Sequence, residues 1–220
     1  MGVTMQNFRF QMTLVLSIVS SFGFDHRSFA AKPQSEQQSV AEVHEPEIGD
    51  PAPVFSGIDE MGNPWQSQDH LGNKHIVVYF YPADFTVGCG KQAISFRDGM
   101  NQLNEFDVEV IGVSADSINT HRLFKQTWNL NFTLISDDCF VIADEFGVPV
   151  RGPGIARARY PDGTPIKDDN GEQLVVERDG TFLRWMYVIG KEGTVIYKNK
   201  NVRPAKASEQ IRKFLASHNP

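Results

Sequence analysis

The chain has 220 residues, of which 40% are hydrophobic and 22% charged, with a formal net charge of −6; this describes one substantial soluble domain with extra segments. No basic block occurs, which removes nucleic acid and stable contact with an anionic membrane from the expected partners. Two cysteines cannot build a disulfide framework, and neither a CxxC pair nor a zinc-ligand spacing is present.

Residues 1–30 have the form of an export signal. Met12 to Phe24 is an apolar run too short to span a bilayer comfortably, Arg9 precedes it, and Ser28, Ala30 and Ala31 offer a cleavage point after Ala30. Asp25, His26 and Arg27 depart from that pattern, so an uncleaved anchor or a disordered extension is the alternative. Residues 31–47 are polar, Gln- and Glu-rich and aperiodic, which predicts a disordered linker. The domain proper is expected over 48–220. Met61-Gly62-Asn63-Pro64 is turn chemistry, and with Phe55 and Trp65 it predicts a small N-terminal hairpin.

His75 to Tyr81 is an apolar run suited to a strand buried on both faces. Pro82 stops it, a short loop carries Ala83, Asp84 and Phe85, and Thr86 stands where a helix N-cap belongs. Cys89, Ala93, Phe96, Met100 and Leu103 then share one face of an amphipathic helix. Cys89 therefore falls in the first helical turn, where backbone N–H groups lack intrahelical partners and the dipole is positive. A thiolate there is stabilised. Spacing alone leaves two readings open, a reactive thiol or a small packed hydrophobe.

Further along, Val108 to Ser114 and Phe132 to Ile135 read as strands. A Ser117-capped helix runs to Trp128, and a short helix covers Val141 to Phe146. Strand alternating with helix predicts parallel strands whose C-terminal ends share one edge, the usual ligand edge of open α/β sheets. Pro82, Thr86 and Cys89 map to that edge, as does the loop holding Cys139. Residues 148–182 form an extended loop rich in turn signals, expected as surface hairpins. Asp168-Asp169-Asn170-Gly171 superficially resembles a calcium loop, but Ile166 stands where the first Asp ligand is required. The six histidines show no helical ligand pairing, and no metal site is expected. A hairpin over Leu183 to Lys198 and a helix over Ala205 to Ser217 close the chain.

Pro82, Thr86 and Cys89 match the Pro-x-x-x-Thr-x-x-Cys motif of the peroxiredoxins, within the AhpC/TSA superfamily. Tyr79-Phe80-Tyr81-Pro82 and Cys89-Gly90-Lys91-Gln92-Ala93 look most like the bacterioferritin-comigratory-protein, or peroxiredoxin Q, subgroup. Ile48 to Phe55 resembles the family's Gly-Asp-x-Ala-Pro-x-Phe opening, and Arg184 to Ile189 its Arg-x-Thr-Phe-x-Ile segment, with Trp185 and Met186 as departures. The resemblance implies an α/β, thioredoxin-like fold: a central mixed sheet flanked by helices, with an N-terminal hairpin extension.

It also implies a thiol-dependent peroxidase. Cys89 would attack hydrogen peroxide or organic hydroperoxides and become a sulfenic acid. Thr86 and Arg184 would stabilise the charge on the oxygens, and Pro82 would wall off water. No cofactor is implied. The partners would be the hydroperoxide and an external thiol or thioredoxin-like reductant, the chain being a monomer or homodimer. Arg184 as an exposed residue at a strand start is the alternative reading. The subgroup's resolving cysteine lies five residues after the first, where Ile94 stands. That leaves Cys139 as a resolving candidate or a bystander, with a one-cysteine cycle preferred. Two rival classes remain: a thiol–disulfide oxidoreductase, disfavoured because Gln92 stands at the second position of a would-be CxxC, and a non-catalytic thioredoxin-like binding module.

Overall fold

A computed structural model describes residues 45–218; the export signal expected over 1–30 and most of the linker expected over 31–47 lie outside that range. The last three linker residues are not loose. Lys198 Nζ pairs with Glu45 and with Glu47 at 2.8 Å, and donates to the Pro46 carbonyl at 2.9 Å. Just beyond, Gly49 N–H donates to Val195 O, and Val195 N–H to Asp50 O. The carboxylates of Glu45 and Glu47, just ahead of the domain start expected at Ile48, thus find a lysine.

The hairpin forms as β1 (Ser56–Asp59) and β2 (Pro64–Gln66). Asp59 Oδ1 accepts from the N–H groups of Met61 and Asn63, closing the turn on Gly62 with its φ of +89°. Phe55 and Trp65 are buried with ring centroids 5.1 Å apart. The hairpin is built into the main sheet, because β1 pairs with a central strand.

That sheet continues with β3 (His75–Phe80), α1 (Val87–Asn104), β4 (Val108–Ser114), α2 (Ile118–Trp128), β5 (Thr133–Ser136) and α3 (Val141–Glu145). After a long excursion come β10 (Met186–Ile189), β11 (Val195–Asn199) and α4 (Ala207–His218). The strand order is β11-β10-β3-β4-β5-β1-β2, with β3, β4 and β5 mutually parallel and the other pairs antiparallel. It is a mixed sheet with flanking helices.

β3 shows how the sequence divides the core. Alternate side chains leave a strand on opposite faces. Val77 and Tyr79 join Phe96, Leu103, Phe124 and Ile211 under α1, α2 and α4. Ile76, Val78 and Phe80 join Ile135, Ile142, Phe146 and Tyr187 on the α3 side. Burial on both faces explains why β3 reads as an unbroken apolar run.

The excursion is not coil. β6 (Val150–Arg151) pairs with β9 (Thr181–Phe182), and β7 (Gly154–Arg157) with β8 (Val175–Arg178). Ala156, Ala158, Ile166 and Val176 give these hairpins a small buried side. At the turn Asp168-Asp169-Asn170-Gly171, Asp168 Oδ1 accepts from the N–H groups of Asn170 and Glu172. Its carboxylate caps its own turn.

Candidate active site

Leaving β3 at Phe80, the chain makes one more ladder bond, Tyr81 N–H to Val113 O at 3.2 Å, before Pro82 turns it out of the sheet. Phe85 then takes a φ of +58°, a left-handed conformation costing on the order of 1–2 kcal/mol for a residue with a side chain. It is held there by its neighbours: Asp84 N–H donates to Asp116 Oδ2 at 2.8 Å, and Phe85 O accepts from Arg159 N–H at 2.8 Å. The next residue, Thr86, is extended and caps α1, its Oγ1 accepting from Cys89 N–H at 3.4 Å and donating to Ala83 O at 3.3 Å.

Cys89 is the third residue of α1, only 2% exposed, in the same cluster as Tyr79, Tyr81, Phe85 and Trp128. Arg184 reaches it from the segment before β10. Its Nη2 donates to Cys89 Sγ at 3.1 Å and its Nη1 to Gln92 Oε1, in a short contact. Of the residues expected at the site, Thr86 and Arg184 both contact Cys89, and Pro82 opens the loop that leads to them. The Thr86 hydroxyl proton faces Ala83 rather than the sulfur. Cys139 is not part of the cluster: it is exposed in the loop after β5, and neither cysteine is in a disulfide.

Beneath the loop lies a polar network that sequence reasoning missed. Asp84 Oδ2 and His121 Nδ1 are 2.7 Å apart, both side chains fully buried, and Tyr81 OH donates to Asp84 Oδ1 at 2.8 Å. His121 Nε2 lies 3.2 Å from Ile135 O. Asp116 accepts from Ser114 Oγ at 2.7 Å and faces Arg178 Nε at 3.4 Å. Burial, reinforced by the Asp84 charge, pushes the Asp116 carboxyl up to about 6. Burial opposes a charged imidazole at His121, but Asp84 outweighs it through charge and hydrogen bond and raises that group. His121 was findable, because it sits three residues before inward-facing Phe124 and seven before Trp128. Gln92, fully buried three residues after Cys89, was findable the same way. Arg178 carried no such signal.

A buried thiol facing a half-buried guanidinium at a helix start, on the C-terminal edge of a mixed sheet, defines a thioredoxin-like fold built for cysteine chemistry. The AhpC/TSA family model matches residues 48–198, and the chain belongs to that family, the peroxiredoxins. Among curated relatives, the putative peroxiredoxin bcp of Coxiella burnetii is 43% identical over 104 residues, 47% of this chain and 68% of that one. Chloroplastic peroxiredoxin Q of Sedum lineare is 37% identical over 148 residues, 67% and 77% of the two chains. A solved structure of the bacterioferritin comigratory protein of Xanthomonas campestris, described for its alkyl peroxide reduction activity, superposes with a TM-score of 0.58 at 21% identity, covering 74% of this chain and 91% of that one.

Proposed function

We propose that this chain reduces hydrogen peroxide and organic hydroperoxides at Cys89, at the expense of an external thiol. The observation that carries the reading is the Arg184 guanidinium 3.1 Å from the Cys89 sulfur, at the start of a capped helix. Family membership and the alkyl peroxide reduction of the Xanthomonas protein support it.

The Cys89 thiolate attacks the terminal peroxide oxygen. An S–O bond forms as the O–O bond breaks, and the departing oxygen takes a proton and leaves as water or an alcohol. Arg184 supplies positive charge where negative charge develops. Rotation of the Thr86 hydroxyl away from Ala83 offers a second donor. Pro82 and the packed loop keep the sulfenic acid from further oxidation. A first external thiol condenses with the sulfenic acid and releases water; a second attacks the mixed disulfide and restores Cys89. A thioredoxin-like protein or a small thiol can fill that role. The exposure of Cys139 against the burial of Cys89 supports a cycle without a bridge between them. Export of the chain is part of the proposal and rests on the apolar run from Met12 to Phe24 alone.

Mass spectrometry after one equivalent of peroxide tests the reading. Oxygen added at Cys89 and removed by added thiol is the expected result. A Cys89–Cys139 bridge would replace the one-cysteine cycle. An unmodified Cys89 beside intact peroxide would leave the oxidoreductase and binding-module readings standing.

A further inference from the structure

Nothing in the chemistry at Cys89 calls for the excursion over 148–182, yet it grips the loop beside that cysteine at two points. From one side, Arg159 N–H donates to Phe85 O at 2.8 Å. From the other, Arg178 Nε faces Asp116 Oδ1 at 3.4 Å, while Asp116 Oδ2 accepts the N–H of Asp84 at 2.8 Å. The two peptide groups so held bracket Asp84 and Phe85, the latter at a φ of +58°. That conformation decides where Thr86, the next residue, puts its hydroxyl.

The Arg178 side chain is 4% exposed and that of Asp116 fully buried. Arg178 Nη2 is buried with no hydrogen-bond partner among the described residues, so Asp116 is what holds the guanidinium. Gly154 packs close beside it: a Cβ there would sit 3.3 Å from Nη1, a tight contact, and would meet Thr181 Oγ1 at 2.7 Å. A buried carboxylate that loses such a partner either takes up a proton or rearranges, and either change loosens its hold on the Asp84 N–H.

We propose that Arg178 is a positioning residue for the reaction at Cys89: acting through Asp116, it fixes the backbone from Asp84 to Thr86 and thereby the Thr86 hydroxyl. The proposal rests on the peroxidase reading above and makes the excursion a working part of the site.

The test uses the full chain and two variants. Arg178→Met removes the charge; Arg178→Lys keeps it but loses the planar fork. Single-turnover oxidation of Cys89 by hydrogen peroxide should slow by about 10- to 100-fold in Arg178→Met, with Arg178→Lys recovering part of the loss. The Asp84 amide should exchange at least about tenfold faster in Arg178→Lys, while those of Val77 and Val110 stay as in the wild type. A wild-type oxidation rate in folded Arg178→Met, or unchanged Asp84 exchange in Arg178→Lys, overturns the proposal. So does equal loosening of all three amides, which marks a general loss of stability. A wild-type chain inert to peroxide removes the peroxidase reading itself, and the exchange comparison then still reports whether Arg178 holds the loop.

Discussion

The loop after β3 and the loop after β5 leave the same edge of the same sheet; the first leads into Cys89 in the opening turn of α1, and the second holds Cys139 ahead of α3. Each also places a phenylalanine at positive φ just ahead of a helix, Phe85 at +58° and Phe140 at +63°. What fills the helix start separates them. In the first loop Thr86 caps α1 and the Cys89 sulfur turns inward to meet Arg184. In the second, the Asp137 carboxylate takes the N–H groups of Ile142 and Ala143, at 3.1 and 2.8 Å. Cys139 is left outside beside Asp138, whose hydrogen bond and then whose charge push its thiol up. The two thiols thus acquire opposite prospects: Cys89 lies inside the first turn of a helix capped by Thr86, whereas Cys139 precedes a helix whose first N–H groups Asp137 already occupies.

The comparison breaks most sharply by exchange of each sulfur for oxygen. Cys89→Ser should abolish peroxide consumption and Cys139→Ser should leave turnover unchanged, both read in a peroxide-depletion assay; turnover lost with Cys139→Ser would make the second loop part of the cycle. Next in size, Arg184→Gln should lower the rate constant for Cys89 oxidation by roughly 10²- to 10³-fold, the scale for removing one preorganised donor, as followed by stopped flow.

A third measurement probes the buried charges that underlie only the first loop. Folding raises the Asp116 carboxyl from 3.8 to about 6 and raises His121 above 6.5. The folded state therefore holds more protons than the unfolded state, and this stability is full below the ordinary values and lost as pH climbs through the raised ones. From pH 4.5 to 7 the wild-type Tm should fall by on the order of 5 °C relative to Asp116→Asn. A constant gap between the two melting curves would remove Asp116 as the titrating group.

Thr86→Val should cost about 1 kcal/mol in urea unfolding, the usual worth of an N-cap, and slow peroxide reduction as well. The smallest effect is expected at the outer thiol. In a Cys89→Ser background, Asp138→Asn should speed alkylation of Cys139 at neutral pH by about three- to tenfold, because it removes the neighbour that disfavours the thiolate.

How far the sequence reveals all this depends on the range of the interaction. Thr86, Cys89 and the inward face of α1 are local: three residues separate cap from sulfur, and helical periodicity supplies the rest. Arg184 became legible only through a family pattern, since no spacing joins positions 95 residues apart. The Asp84–His121 pair was half legible, because His121 lies on the apolar stripe of α2 while its partner comes from another element. Arg178 was not legible at all. It sits in a strand of alternating exposure, and only the folded hairpin shows that its alternate face meets Asp116. Glu45 to Glu47 read as linker for the same reason, as their partner Lys198 is about 150 residues away.

That early segment has a further bearing on how copies of the chain meet. β11 is the outermost strand on its side of the sheet, and outermost strands with free main-chain groups invite pairing with other molecules. Here Gly49, Asp50 and Ala52 bond to Val195 and Gly193, and Pro51, which has no N–H to offer, bridges to Thr194. Residues 49–52 thus screen that stretch of the border from being extended by a neighbour, a guard against fibril-like growth.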